Sequence, residues 1–451
     1  MRRKSTHQTA RVTFTPLTGG INTADRADLL ADGEMTDCTN FLYEQGTLAL
    51  KARGGLIKLH TFPSPIRSLY HDIDTNTLFI FLTDRSVHIR IGNGAVKQIG
   101  TTTGTKTPSC AKFMNKLYLA SGDRLQSYDY NSALTDIPTA PIADIVLVRG
   151  GRLCTACTGN DRITYSAVGD GTSWEQNTND ESSAGWIDIG YGDSGDITAI
   201  VELATDLIII KSNGNIYQFS GDTNPAEWRI TQLATSADPV GTKTATHLQG
   251  AVVYLSSRGL VSLSATQDYG NITARDLGDK FRSLLLSPHP SARFFPLKRA
   301  QLLLIRAHDN KRDLCAFHAA LGIATHLTFA CPISDIIETT EDRLLASGTD
   351  LYRWTSETAT DDGAPIPYRI GLKHIYGAHP LHLSRINARL SSDHKGTVQL
   401  TAEGHHPLNT HLSADGTTTR KTNHSDTHLA LSLSADIPFS TDDLSIDISE
   451  L

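Results

Sequence analysis

The sequence is short of cysteine, of net positive charge and of long apolar runs. Its 451 residues include six cysteines, 39% are hydrophobic, 20% are charged, and the formal net charge is −7. No apolar run approaches the ~18 to 20 residues of a membrane-spanning helix, so we expect no membrane span. The acidic balance argues against a surface that grips DNA phosphates, because such surfaces rely on clustered Lys and Arg. The acidic balance is compatible with a channel that DNA passes through without sequence-specific binding.

The cysteines show neither a disulfide framework nor the spacing of a metal site; they are Cys38, Cys110, Cys154, Cys157, Cys315 and Cys331. Cys154 and Cys157 form a lone Cys-x-x-Cys without a second pair, so we predict structural thiols where a strand enters a turn. The first seven residues are basic but lack an apolar core, so we expect no secretory signal and synthesis in the cytoplasm. The basic tail from Arg2 to Arg11 is expected to be a solvated end or, alternatively, to dock onto an acidic neighbour.

Helical periodicity is also scarce, and short β-hairpins take its place. Only Ala274 to Leu286 carries apolar residues at helical spacing and predicts one short helix. Seven apolar runs are each followed by a turn: Thr77–Leu82, Lys116–Ala120, Arg152–Thr155, Asp206–Ile210, Ala251–Leu255, Leu302–Ile305 and Arg343–Ala346. Their spacing of roughly 40 to 50 residues suits one four-stranded blade per unit. We therefore predict an all-β fold, a β-propeller of about seven blades, with six or eight as alternatives.

The composition changes near residues 361–365, and the chain beyond this point is rich in Ser, Thr and His. Alternating runs in this region predict a small C-terminal antiparallel β-sandwich; they are Arg369 to Ile375, Arg385 to Leu390, Thr397 to Ala402, Leu429 to Leu433 and Leu444 to Ile448. The expected division is a leader with a hairpin at 1–60, a propeller at 61–360 and a sandwich at 361–451. The leader is expected to be an assembly arm or to complete the propeller.

Several residues could suggest chemistry, and each has a structural alternative. Asp193 and Asp196 lie in a glycine-rich run that could bind calcium, but the spacing is not an EF-hand loop and favours a blade connection. Late histidines could ligate a metal, but their irregular spacing in predicted turns favours solvated loops; they are His394, His405, His406, His411, His424 and His428. Asp170 to Trp174 resembles a sialidase Asp-box with the wrong spacing, and no acidic pair stands out for glycoside hydrolysis. We predict no catalytic, cofactor or metal residues and no enzymatic activity.

The leader from Gly19 to Gly55 has the most specific pattern in the chain. Asp32 is expected to cap one helical turn followed by Glu34, with Leu29 and Leu30 as apolar anchors. Two strand-like runs come next, Asn40–Tyr43 and Thr47–Leu50, with Gly46 in the loop between them. This predicts a hairpin ahead of the propeller.

This leader resembles the start of bacteriophage tail nozzle, hub and head-completion (phage stabilisation) proteins of the β-propeller type from short-tailed phages. The resemblance is carried by Gly19, Gly20, Ile21, Asn22, Leu30, Asp32, Gly33, Glu34, Asn40, Phe41, Arg53 and Gly54. The run from Ile163 to Trp174 is similar to a strand and turn of the same virion proteins. The leader could then clamp neighbouring subunits.

The resemblance implies a structural virion protein that forms a ring in the tail, as a homohexamer, through which DNA is ejected. Implied partners are a portal-adaptor ring or other tail proteins on one side and fibres or a needle on the other. A carbohydrate-binding or glycan-hydrolysing propeller and a cytoplasmic scaffold propeller remain the alternatives.

Overall fold

The chain forms a ring of four-stranded antiparallel β-sheets. A computed structural model describes residues 9–450 except 178, 222, 237–239, 241–242, 266–271 and 404–406. Within these residues the helical elements are two short 3₁₀ turns, Pro225–Glu227 and Asp279–Leu284. No helix in this described part is long and apolar enough to cross a membrane.

Seven blades are present in the described chain. Blade 1 contains Ile66–Asp72, Thr77–Leu82, Ser86–Ile91 and Lys97–Thr101, blade 2 contains Ser109–Phe113, Lys116–Ala120, Gln126–Tyr128 and Thr135–Asp136, and blade 3 contains Ile145–Arg149, Arg152–Ala156, Arg162–Tyr165 and Gly185–Asp188. Blade 4 contains Ile197–Leu203, Asp206–Lys211, Asn215–Ser220 and Arg229–Ser236, and blade 5 contains Ala245–Leu248, Ala251–Ser256, Gly259–Ala265 and Ile272–Leu277. Blade 6 contains Arg293–Leu297, Leu302–Arg306, Asp313–His318 and Ile323–Thr328, and blade 7 contains Asp335–Glu338, Arg343–Ser347, Asp350–Thr355 and Gly55–Thr61. Further short antiparallel pairs join Asp123–Arg124 to Ile142–Ala143, Thr360–Asp361 to Ala364–Pro365 and Phe41–Tyr43 to Leu50–Ala52, and a parallel pair joins Gly20–Ile21 to Glu34–Met35.

The predicted propeller is confirmed, and so are its seven hairpins. Each predicted apolar run is the second strand of a blade, and each predicted turn joins the second strand to the third. All six residues of Thr77–Leu82 are buried, because the middle strands of a blade are covered by the blades on both sides. The local pattern therefore gives both the blade number and the position of each blade's centre.

The ring closes through blade 7, which combines distant parts of the chain. Its outer strand Gly55–Thr61 pairs antiparallel with Asp350–Thr355, from Thr61 opposite Asp350 to Gly55 opposite Thr355. Apolar clusters fill all seven junctions between neighbouring blades, and the last of them packs Leu344 of blade 7 against Leu82 of blade 1. Closure thus joins the leader to the final blade and removes the free edge that an open ring would expose.

The C-terminal region forms two antiparallel sheets around one core, as the predicted sandwich requires. One sheet contains Ala10–Thr13, Ser440–Glu450, Ile375–Ser391 and the first part of Gly416–Ala435; the other contains Leu408–Ser413, Thr397–Glu403, the end of Gly416–Ala435, Tyr368–Gly371 and Asp37–Thr39. The long strand Gly416–Ala435 therefore belongs to both sheets.

The leader is divided between the two domains. Its first part supplies Phe14, Ile21, Met35 and Phe41 to the same apolar core as the C-terminal sheets. Its last part is the outer strand of blade 7. The strand Asp37–Thr39 lies between Tyr368–Gly371 and the outer strand of blade 6, where Thr39 is opposite His326 in parallel. A continuous sheet thus runs from blade 6 into the C-terminal domain.

Two local predictions are wrong. Residues 272–277 form the outer strand of blade 5 rather than the start of a helix, and Gly278, with a φ of 76°, separates them from the 3₁₀ turn. At this backbone angle glycine is favoured over other residues, so a continuous helix cannot pass. Asp32 caps no helix: it lies in a turn with its side chain 97% exposed, and its carboxylate is 3.6 Å from Lys373 Nζ.

Candidate functional site

Arg53 lies where the leader, the propeller and the C-terminal domain meet. Its guanidinium donates to both carboxylate oxygens of Asp361 at 2.9 and 2.7 Å. It also donates to the carbonyls of Gly54 at 2.9 Å and Thr328 at 2.6 Å, and lies 4.3 Å above the ring centre of Phe329. A buried arginine is stable only when its charge is paired and its donors are used, and Arg53 meets both conditions.

Asn40 holds the opposite side of the Arg53 guanidinium. Its Oδ1 accepts from Arg53 Nε at 2.9 Å and from the backbone N–H of Thr328 at 2.9 Å, while its Nδ2 donates to the carbonyl of Pro367 at 2.6 Å. Asn40 has a φ of 66°, a left-handed backbone that Asn tolerates better than most residues. One amide thereby links the leader to blade 6 and to the C-terminal domain.

Gly54 allows the chain to pass close to blade 7. A Cβ at Gly54 would overlap the backbone carbonyl of Thr355. The carbonyl of Gly54 accepts from the Trp354 indole N–H at 3.0 Å, and the carbonyl of Arg53 accepts from the Tyr368 hydroxyl at 2.9 Å. The Arg-Gly exit of the leader pattern is therefore a packing junction.

Glu34 organises the first half of the leader. Its Oε2 accepts from Asn22 Nδ2 at 2.8 Å and from the Ala31 N–H at 2.9 Å, and its Oε1 lies 2.5 Å from Lys280 Nζ. Burial alone would raise the pKa of Glu34, but Lys280 and these hydrogen bonds lower it below its ordinary value. The resemblance residues Asn22 and Glu34 therefore contact each other directly and attach the leader to the 3₁₀ turn after blade 5.

Some leader side chains remain exposed although most of the segment is packed. The predicted hairpin is confirmed, with Phe41–Tyr43 paired to Leu50–Ala52 and Gly46 at a φ of 83°, although the second strand begins three residues later than expected. Leu48 in its loop is 44% exposed and Leu29 is 67% exposed. Clefts of about 490 and 330 Å³ flank the hairpin.

The subunit-clamp hypothesis needs correction at two positions. Leu30 and Phe41 are buried within their own chain, so they cannot contact a neighbouring subunit as the leader stands. Leu29 and Leu48 are the exposed large apolar residues between Gly19 and Gly55. In the basic tail, Arg11 donates from Nε to Asp447 at 2.9 Å in the same chain, and residues 2–8 lie outside the described residues.

Asp193 is engaged by a buried lysine. Lys211, with a side chain 0% exposed, places Nζ 2.6 Å from Asp193 Oδ1, and Asp193 Oδ2 accepts from Asn215 at 3.0 Å and Tyr217 at 2.8 Å. Burial would raise the pKa of Asp193, but hydrogen bonds from Lys211, Asn215, the Gly195 N–H and Tyr217 together outweigh it and hold the pKa below the usual range. Asp196 is exposed nearby. The arrangement is a charge pair between the connection from blade 3 to blade 4 and the second strand of blade 4.

The late histidines do not all lie in turns. His411 is in the strand Leu408–Ser413, and His424 and His428 are in Gly416–Ala435, while His394 is in a turn; His405 and His406 fall outside the described residues. His428 Nε2 is 3.0 Å from His374 Nδ1, a pairing that sequence spacing could not show. In the part of the chain that is described, no three His, Cys, Asp or Glu residues group to hold a metal ion.

The remaining motifs have structural positions. Cys154 is buried in its strand and Cys157 follows the strand end, both as free thiols, and burial raises the pKa of Cys154 to about 12. Asp170 Oδ1 accepts from the Thr172 N–H at 2.8 Å, and Trp174 donates to the Gly171 carbonyl at 3.0 Å. The run ending at Trp174 is thus a side-chain-stabilised turn that anchors Trp174 between blades 2 and 3.

These features define a seven-bladed β-propeller joined by its leader to a C-terminal β-domain. No family model matches the sequence, and no curated protein matches it. Solved structures that resemble it include BamB from Moraxella catarrhalis, at 12% identity and a TM-score of 0.42 over 68% of this chain and 91% of that one. YCF48 bound to D1 peptide is 13% identical, with a TM-score of 0.44 over 67% and 95%. The Swd1 β-propeller domain of Myceliophteria thermophila is 11% identical, with a TM-score of 0.47 over 66% and 99%. These similarities carry no functional argument.

Proposed function

We propose that the protein is a structural component of a bacteriophage tail, and that it assembles into a ring that forms the nozzle or hub for DNA ejection. The observation that carries the proposal is the leader: residues of its phage-like pattern form two networks that attach the leader to the rest of the chain. Asn40, Arg53 and Gly54 join blades 6 and 7 to the C-terminal domain, and Glu34, which Asn22 contacts, joins the leader to the 3₁₀ turn after blade 5.

Such a junction suits a protein that bears load within a ring. A flexible linker would let the two domains move independently, whereas the buried Arg53–Asp361 ion pair and a continuous sheet resist that motion. The shared pattern is then a requirement of the architecture, because Glu34, Asn40 and Arg53 each have a partner outside the leader. The resemblance supplies the homohexameric stoichiometry and the place in the virion.

Partners would be held by broad surfaces. The proposed contacts are an adaptor ring or other tail proteins on one side and fibres or a needle on the other. With a net charge of −7, the protein is suited to let DNA pass without gripping its phosphates.

The exposed leader residues are the proposed subunit contact. Leu29→Asp and Leu48→Asp place a charge on the only large apolar side chains exposed between Gly19 and Gly55, so each variant should lower the fraction of rings at a given concentration. Ile91→Asp is the matched control, because Ile91 is 60% exposed on blade 1 and does not belong to the leader. If all three variants reduced the fraction of rings equally, or if none did, the leader would not be part of the subunit contact.

Electron microscopy of purified protein tests the function itself. The proposal expects closed rings with a central channel. Single particles without rings, combined with thermal stabilisation by glycans, would contradict it and favour a carbohydrate-binding propeller.

A further inference from the structure

A cavity of about 480 Å³ lies near the propeller axis, where the first strands of several blades begin. First strands of neighbouring blades contact one another, as Ala245–Leu248 of blade 5 does with Ile197–Leu203 of blade 4 and Arg293–Leu297 of blade 6, so they surround the axis. Residues from blades 2 to 6 line the cavity. We call it the axial cavity, and its volume falls in the usual range of small-molecule sites.

The axial cavity is rich in positive charge although the protein is acidic overall. Four cationic side chains line it: Lys106, Lys243, Arg293 and Arg306. Two of them have carboxylate partners. Lys106 Nζ lies 2.5 Å from Asp144, which also accepts from Thr158, and Arg293 Nη2 lies 2.8 Å from Asp335.

Lys243 and Arg306 have no carboxylate partner among the described residues. Among the described residues, Lys243 Nζ donates to the Thr107 carbonyl at 3.3 Å and to the Pro108 carbonyl at 3.5 Å, both of which are long contacts. Burial, together with repulsion from Arg293, lowers the pKa of Lys243 to about 8. This ammonium has lost much of its hydration without gaining a full set of acceptors.

Arg306, like Lys243, has too few hydrogen-bond acceptors for its donors. Its side chain is 7% exposed, and its two terminal nitrogens donate to the carbonyls of Ile333 at 2.8 Å and Ser291 at 3.1 Å. Its Nε is buried and has no hydrogen-bond partner in the described part of the chain. A buried donor left unsatisfied is costly, so this atom marks a place where an acceptor is missing.

We propose that the axial cavity binds a small oxyanion, a molecule bearing a phosphate or carboxylate group, through Lys243 and Arg306. Such a group supplies both the negative charge and the oxygen acceptors that these side chains lack, and guanidinium and ammonium groups are the usual partners of both anions. The carboxylates nearby do not repel it strongly, because Asp144 and Asp335 are each paired with a cation. The proposal is independent of the tail assignment.

The test uses the full-length protein with inorganic phosphate and citrate as probes. Thermal unfolding is followed during titration of each probe, with sodium chloride of equal ionic strength as the reference. A ligand that binds only the folded state raises Tm with its concentration. We expect a concentration-dependent rise in Tm beyond that in chloride, and binding at least tenfold weaker in Lys243→Met by calorimetry.

Two variants keep the result interpretable. Lys97→Met removes an exposed lysine on the outer strand of blade 1 and should bind as the wild type does. Lys243→Met should fold with an unliganded Tm no lower than that of the wild type, because it removes a poorly solvated charge. A response to only one probe supports the proposal and identifies the group bound. No Tm rise beyond chloride with either probe, or undiminished binding in Lys243→Met, would overturn it.

Discussion

Arg53 and Asp361 are separated by 308 residues in sequence yet form a two-point ion pair with N–O distances of 2.9 and 2.7 Å. Their side chains are 0% and 3% exposed. The pair ties the end of the leader to the segment that leaves blade 7, so it fixes the ring closure and the C-terminal domain at one point. Its position explains why the leader pattern ends in Arg-Gly.

Replacing Asp361 by Asn should strongly destabilise the protein. The substitution leaves the Arg53 charge buried without a counter-charge, and breaking such pairs costs about 3 to 5 kcal/mol. Urea unfolding at pH 7 measures the change. Asp362→Asn is the control, because Asp362 is 46% exposed and lies 3.3 Å from Lys58, so its loss should cost less than ~1 kcal/mol. Similar losses in the two variants would contradict the assigned role of Asp361.

Acid should destabilise the protein through His318. Burial lowers the pKa of His318 to about 4, and among the residues that the structure describes its Nε2 has no hydrogen-bond partner. The unfolded chain, with a histidine pKa near ~6.5, then binds more protons than the folded chain, so stability falls as pH drops from about 6.5 to about 4. Over that interval His318 lowers the free energy of unfolding by about 3 kcal/mol. Above about pH 6.5 this loss is absent.

His318→Leu isolates this contribution. The difference in unfolding free energy between the wild type and His318→Leu should change with pH over this interval and stay constant above it. His379→Leu, at an exposed histidine, should leave the pH dependence of stability unchanged. A pH dependence that His318→Leu does not reduce would contradict burial of a neutral imidazole.

Asp193 should act as a counter-ion to Lys211 rather than as a calcium ligand. Asp193→Asn leaves the Lys211 ammonium buried without its charge partner, and we expect a loss of about 3 to 5 kcal/mol at pH 7. Because the folded-state pKa of Asp193 is lowered, this stabilisation is present above the ordinary Asp pKa and is lost only in strong acid. Millimolar calcium should leave the Tm of the wild type unchanged. A calcium-dependent Tm rise that Asp193→Asn abolishes would show that Asp193 is a calcium ligand after all.

Removing residues 1–13 should weaken the last strand of the chain. Ala10–Thr13 covers the edge of Ser440–Glu450, with Val12 opposite Ile446. Without this cover, backbone amides of the last strand face solvent and the edge becomes open to pairing with other chains. Hydrogen exchange should accelerate in residues 444–448 while the amides of Thr77–Leu82 keep their protection. Unchanged exchange at both places would show that the first strand contributes nothing to the edge.

The blades could be predicted from sequence because their pattern is local. Runs such as Thr77–Leu82 and Leu302–Arg306 are buried on both faces, and each is followed within a few residues by a turn, so a single window contains the whole signal. The strands of the C-terminal domain could be located for a similar reason. The lengths of these strands could not be predicted, since Ile375–Ser391 and Gly416–Ala435 continue through polar stretches.

The junction could not be predicted because its partners are distant in sequence. Gly55–Thr61 is largely exposed, and only its pairing with Asp350–Thr355 makes it a blade strand. Nothing near Arg53 in the sequence points to Asp361, and nothing near His428 points to His374. The axial cavity could not be predicted for the same reason, because its cations Lys106, Lys243, Arg293 and Arg306 are far apart in sequence and share no local motif.

The mass of the purified protein in solution tests the proposed assembly most directly. Mass photometry and sedimentation velocity should both report a particle of six times the 48.9 kDa chain mass, with the amount of ring reduced in Leu48→Asp and retained in Ile91→Asp. A particle of 48.9 kDa at every concentration, for the wild type as well as the variants, would contradict assembly into a tail ring.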